Sequence, residues 1–170
     1  DFISADLAIL NGTVIDATGK PRYVSDVAVR DGKIVYIGQS KPIRAKKQID
    51  ATGLIVSPGF IDGHSHTGEH IDEFEKRLNE NVLTQGVTTI VFGADGMFSP
   101  SVIAEHLEKY RSQGVGTNVG FYVGHNGIRR EVMGEQQRRV PTSAELATMK
   151  QRVYEGMEMG AVGLSTGLMY

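Results

Sequence analysis

Leu54-Ile55-Val56-Ser57-Pro58-Gly59-Phe60-Ile61-Asp62-Gly63-His64-Ser65-His66 divides the chain into two differently patterned parts. Before it, apolar residues come in short β-type runs: Leu7-Ala8-Ile9-Leu10, Thr13-Val14-Ile15, Val27-Ala28-Val29 and Lys33-Ile34-Val35-Tyr36-Ile37. Asp31-Gly32 between two such runs is a strong hairpin signal, because both central positions of a type I′ turn require positive φ. Lys41 to Gln48 is basic and reads as a loop. Residues 1–57 are therefore expected to form a small antiparallel β layer.

After Gly63 the period lengthens. Ile71, Phe74, Leu78 and Val82 mark one helix face over Ile71 to Thr84, ended by Gly86. A β-branched strand follows, Val87-Thr88-Thr89-Ile90-Val91-Phe92. Ser99-Pro100 supplies an N-cap and an N1 proline for a helix that closes near Gly114. Asn118 to Val123 is a third strand, leading into Gly124-His125-Asn126-Gly127-Ile128-Arg129-Arg130. Thr142-Ser143-Ala144-Glu145 fits a capping box for a helix stopped at Gly160, and Ala161 to Ser165 is a fourth strand. Strands alternating with helices imply right-handed crossovers and a parallel sheet, either half of an eight-stranded barrel or a small doubly wound sheet.

If Phe60 to His66 is extended, His64 and His66 point the same way, a ready half of a metal site. His-x-His alone is weak, but polar residues end every later strand: Asp95, then His125 and Asn126, then Ser165 and Thr166. In a parallel β/α fold these ends share one face, where active sites are built. Asp95 reads either as an Asx turn or as a carboxylate completing the site. His125 is a third ligand, a substrate contact or a surface imidazole. Arg129 and Arg130 are solvated loop charges or hold a substrate carboxylate bidentately. His70 and His106 fall in helical stretches and read as structural or exposed. Ser165 has no partnered base in view, which argues against a serine nucleophile. A metal at this face would lower the pKa of bound water and polarise a carbonyl, the chemistry of amide hydrolysis.

Composition narrows the partners. A formal charge of −2 with both signs interspersed gives no basic patch for nucleic acid, and the absence of cysteine excludes disulfides and thiolate ligands. No apolar run approaches the length needed to cross a bilayer, so a soluble protein, cytoplasmic or periplasmic, with a small-molecule substrate is expected.

The assembled motifs resemble the amidohydrolase superfamily, and within it the N-acyl-D-amino-acid deacylases. Asn11-Gly12-Thr13-Val14-Ile15-Asp16, Pro58 to His66, Gly86-Val87-Thr88-Thr89, Gly124 to Arg129 and the glycine-rich Gly160 to Tyr170 carry the likeness. The last segment points to the deacylase branch. The resemblance implies the amino-terminal half of a (β/α)₈ TIM-type barrel (58–170) preceded by a small β-sandwich portion (1–57). It implies His64 and His66 as metal ligands; with the strand-end reading, the expected site is His64, His66 and Asp95 for metal and His125 and Arg129 for substrate, with one or two divalent ions, zinc first and manganese or iron as alternatives. The implied activity is hydrolysis of N-acyl-D-amino acids or related peptide-like compounds by metal-bound hydroxide. Cyclic-amide hydrolysis, deamination and a non-catalytic subunit are the rivals. Family members commonly carry cysteine where this chain has Asp95. Their further histidine ligands and catalytic aspartate would lie beyond Tyr170, so a two-chain or cleaved enzyme is expected, its second polypeptide carrying strands five to eight.

Overall fold

The computed structural model describes residues 1–168, so the last two residues of the glycine-rich segment, Met169 and Tyr170, lie outside the described residues. The chain divides after Pro58 into two compact units. No helix among the described residues is long and apolar enough to cross a membrane.

The first unit is one five-stranded sheet of β1 (Ile3–Val14), β2 (Tyr23–Arg30), β3 (Lys33–Gly38), β4 (Ile43–Asp50) and β5 (Ile55–Val56), in the order β3-β2-β1-β4 with β5 also paired to β1. The Asp31-Gly32 hairpin forms as expected, with φ of 52° and 71°. Two expectations are corrected. The layer is mixed rather than antiparallel, since β4 and β5 both run parallel to β1. Lys41 to Gln48 is not a loop: most of it is β4, whose pairing with β1 is long-range and leaves its basic side chains largely in solvent. β1 itself runs through Asn11-Gly12 by a bulge at Asn11 (φ 61°), and the displaced Asn11 N–H donates to Asp26 at 2.7 Å.

The second unit holds a parallel sheet in the order β6-β7-β8-β9, built from β6 (Phe60–Asp62), β7 (Val87–Phe92), β8 (Asn118–Gly124) and β9 (Gly163–Ser165). Ile90, Val91 and Phe92 are buried in succession, which marks β7 as covered on both faces. Ile103 and Tyr110 of α3 (Pro100–Gln113), Ile128 and Met133 of α4 (His125–Met133) and Met149 of α5 (Ser143–Glu158) pack with Phe92, Phe121 and Val123 of the sheet. Ser99 caps α3 and Thr142 with Glu145 forms the capping box of α5. At Gly156 of α5 a Cβ would fall 2.1 Å from Val123, so glycine lets that helix lie directly on β8.

The expected helix over 71–84 breaks into α1 (Gly68–Ile71), a 3₁₀ turn at Phe74–Lys76 and α2 (Glu80–Leu83). Tertiary contacts override the period here. Asn79 adopts left-handed backbone (φ 53°) and is buried with its amide donating to Thr117, whereas Phe74 and Leu78 of the supposed apolar face are exposed. The segment is tied to α3 by Asp72, which accepts from the Tyr110 hydroxyl at 2.8 Å and lies 3.3 Å from His106 Nδ1. Burial, with the Asp72 carboxylate beside it, pushes the Tyr110 phenol well above its ordinary pKa and keeps it a donor. The segment opened by Gly124-His125 is likewise helix α4 rather than loop.

Candidate metal centre

β6 ends at Asp62, and the chain stays extended enough for alternate side chains to separate. Asp62 accepts the His64 N–H at 3.1 Å, and the Ser65 N–H continues the pairing to the Val91 carbonyl at 3.0 Å. Ser65 turns inward and is buried, with its hydroxyl 3.0 Å from Thr67 Oγ1; His64 and His66 turn outward on one side. Their Nε2 atoms are 3.1 Å apart.

Asp95 reaches the pair from the end of β7. Its Oδ2 lies 3.6 Å from His64 Nε2 and 3.5 Å from His66 Nε2. Among the described residues these three side chains are the group that can converge on one ion. Two ligands on an ion at zinc distances in tetrahedral geometry are separated by about 3.3 Å. The three observed separations bracket that value, and two imidazole nitrogens with one carboxylate oxygen form a donor set suited to zinc and its divalent neighbours.

The Asp95 carboxylate is brought there by a tight turn. Gly93 (φ 79°), Asp95 (φ 63°) and Gly96 (φ 83°) all have left-handed backbone. For a residue with a Cβ such a conformation costs about 1–3 kcal/mol and survives only where the surroundings impose it. Here the ends of β8 and β9 impose it. The Ser165 hydroxyl donates to the Gly93 carbonyl and accepts from the Gly96 N–H at 3.1 Å. The Asn126 amide donates to the carbonyls of Asp95 at 3.4 Å and Gly167 at 2.7 Å. Gly124 and Gly127 supply the floor, since a Cβ at either would come within 2.4 Å of the backbone of Gly96 or Met97.

His125 and Arg129 do not join the metal group. His125 Nδ1 faces Thr166 Oγ1 at 3.3 Å. The Arg129 guanidinium donates to the backbone carbonyls of Gln137 and, at 2.9 Å, Arg139, stapling that loop to α4. Both line a pocket of about 400 Å³ shared with Asn126, Arg130, Arg138 and Leu168. Of the remaining histidines, His106 is packed between Phe98 and Tyr110, and His70 is exposed. Sequence reasoning missed the supporting role of Asn126 and Ser165. Their position at strand ends was visible, but which backbone groups they would meet depends on the register of the sheet.

No family model matches the chain. A D-aminoacylase of Alcaligenes xylosoxydans is 32% identical over 97% of the chain, which spans 38% of that relative's length. An allantoinase of Enterococcus faecalis is 48% identical over 52% of the chain, corresponding to 20% of the relative. The crystal structure of an N-acyl-D-glutamate deacylase from Bordetella bronchiseptica, complexed with zinc and a phosphonate mimic of the tetrahedral intermediate, matches 98% of the chain and 39% of its own, with a TM-score of 0.84 and 33% identity. By sequence and fold together, the chain corresponds to the amino-terminal portion of the D-aminoacylases, within the amidohydrolase superfamily.

Proposed function

We propose that this chain forms part of a metal-dependent hydrolase that cleaves the amide bond of N-acyl-D-amino acids. The observation that carries the proposal is the convergence of His64, His66 and Asp95 at the carboxyl ends of two adjacent parallel strands, β6 and β7. A zinc ion held by these three residues would supply Lewis acidity to an acyl carbonyl and to a water molecule. The chain's own contribution is placement. His64 and His66 present lone pairs on one side of an extended stretch, and Asp95 brings the negative charge that favours a divalent cation. The pocket lined by Asn126, whose amide also bonds the Asp95 carbonyl, is bounded by Arg129, Arg130 and Arg138, so a substrate carboxylate is welcome there, and His125 is placed to contact the substrate.

In the same reading the sheet β6 to β9 is the first half of a (β/α)₈ barrel, and the mixed sheet of the first unit is a portion of a β-sandwich. Strands five to eight, and an aspartate to carry the proton, come from a further chain or segment. Support comes from Val162, just before β9, and Leu164 on it, 57% and 56% exposed beside the unpaired edge of the sheet, apolar surface that the remaining elements of a barrel would cover.

The test is acetate release from a panel of N-acetyl-D- and L-amino acids by the intact, zinc-loaded protein. Hydrolysis confined to D-substrates is the expected result. The identity to an allantoinase favours a second reading, ring opening of a cyclic amide. Turnover of such a ring with no cleavage of any N-acyl amino acid would replace the proposal with that reading.

A further inference from the structure

We infer that Ser165 and Asn126 are positioning residues for the metal centre: they hold the loop that aims Asp95 at His64 and His66. The inference rests on the metal reading above. The Ser165 hydroxyl stands between the Gly93 carbonyl and the Gly96 N–H, the two backbone groups that would bond directly in an ordinary four-residue turn. The side chain of the fourth strand thus completes a turn belonging to the second. Its hydrogen is spent on Gly93, so the hydroxyl is a bridge and carries no free proton for chemistry.

Asn126 makes the second tie. It is buried, and its amide reaches Asp95's own carbonyl and the Gly167 carbonyl together, locking the residue that bears the ligand to the chain just past β9. With Gly93, Asp95 and Gly96 all left-handed and no side-chain cap on the 3₁₀ turn they form, the turn has little to hold it besides these ties and the glycine floor. Loss of the bridge leaves the Gly93 carbonyl and the Gly96 N–H without it, and the cheapest relief is rotation of the 93–96 backbone, which swings the Asp95 carboxylate away from the imidazoles.

The test uses the intact protein and two readouts of the centre that do not depend on turnover: zinc affinity by competition with a chromophoric chelator, and the visible spectrum of the cobalt-substituted site. Ser165→Ala and Asn126→Asp should each weaken zinc binding about tenfold to hundredfold, the usual effect of losing a group that orients a ligand. Ser165→Ala should also shift the cobalt bands. Ser165→Thr, which keeps the hydroxyl, should restore affinity to within about threefold of wild type. If Ser165→Ala lowers the melting temperature or kcat while zinc affinity and the cobalt spectrum stay at wild type, the positioning role is overturned. A wild-type protein that takes up no zinc overturns the metal reading itself and is told apart by that control.

Discussion

His64 and His66 and their partner Asp95 are delivered by loops of opposite construction. The histidine side chains are 62% and 70% exposed, and two hydrogen bonds donated by backbone N–H groups, to the Asp62 carboxylate and to the Val91 carbonyl, fix the stretch that bears them. Asp95 is 34% exposed and sits on a turn held by two side chains, from β9 and from the first turn of α4, and seated on two glycines. One candidate ligand is set by its backbone. The other two are set by side-chain rotamers, which an incoming ion can adjust at little cost. A metal centre on these residues would combine one rigid anionic post with two yielding imidazoles.

The contrast can be broken at several points. Replacing both His64 and His66 with Ala should remove zinc binding altogether, as judged by metal content after dialysis, while the circular dichroism of both units stays native. Retained stoichiometric zinc would remove them as ligands. Gly124→Ala should destabilise the protein by about 3 kcal/mol in urea unfolding, because its Cβ would strike Gly96 backbone that Ser165 and Asn126 prevent from retreating. Wild-type stability would show that the Asp95 turn is softer than described. Away from both loops, Thr142→Ala should cost about 1 kcal/mol through loss of the α5 cap. The same cap has a pH signature. Arg139, followed by the Thr142 N–H, holds the Glu145 carboxyl down at about 2, below its ordinary 4.5. Its contribution is therefore complete above pH 4.5 and fades as pH falls toward 2, and acid unfolding of Glu145→Gln should lack that component. Gly63→Ala sharpens the comparison by its smallness. The nearest atom to its Cβ is 4.0 Å away, so a stability change within about 0.5 kcal/mol is expected. A larger loss would mean that the histidine stretch is as tightly built as the Asp95 turn.

Local chemistry made much of the fold legible. Asp31-Gly32, Ser99-Pro100 and Thr142 to Glu145 each name their own geometry within four residues, and each forms as read. The candidate ligands were legible because a period of two and the carboxyl-end rule place them without any knowledge of packing. What stayed hidden depends on distant partners. β4 has exposed polar residues along most of its length and is a strand only because β1 accepts it in parallel. The helix over 71–84 fails at Asn79, whose partner Thr117 lies 38 positions away. Helix α4 was masked by turn-like composition, yet its Gly127 is required for close approach to Met97, where a Cβ would lie 2.4 Å from the carbonyl oxygen.

The Ser165 bridge also fixes an order of events in time. Its partners lie 69 and 72 positions earlier, among the longest-range side-chain hydrogen bonds in the second unit. Contacts of that separation form late in folding, since the chain between them must first be brought together. A nascent chain that has emerged through residue 160 already carries both histidines and Asp95 but not the hydroxyl that closes the turn. The arrangement of Asp95 beside the histidines is thus among the last features of this unit to mature, and docking of β9 onto β8 is the step that closes the Asp95 turn.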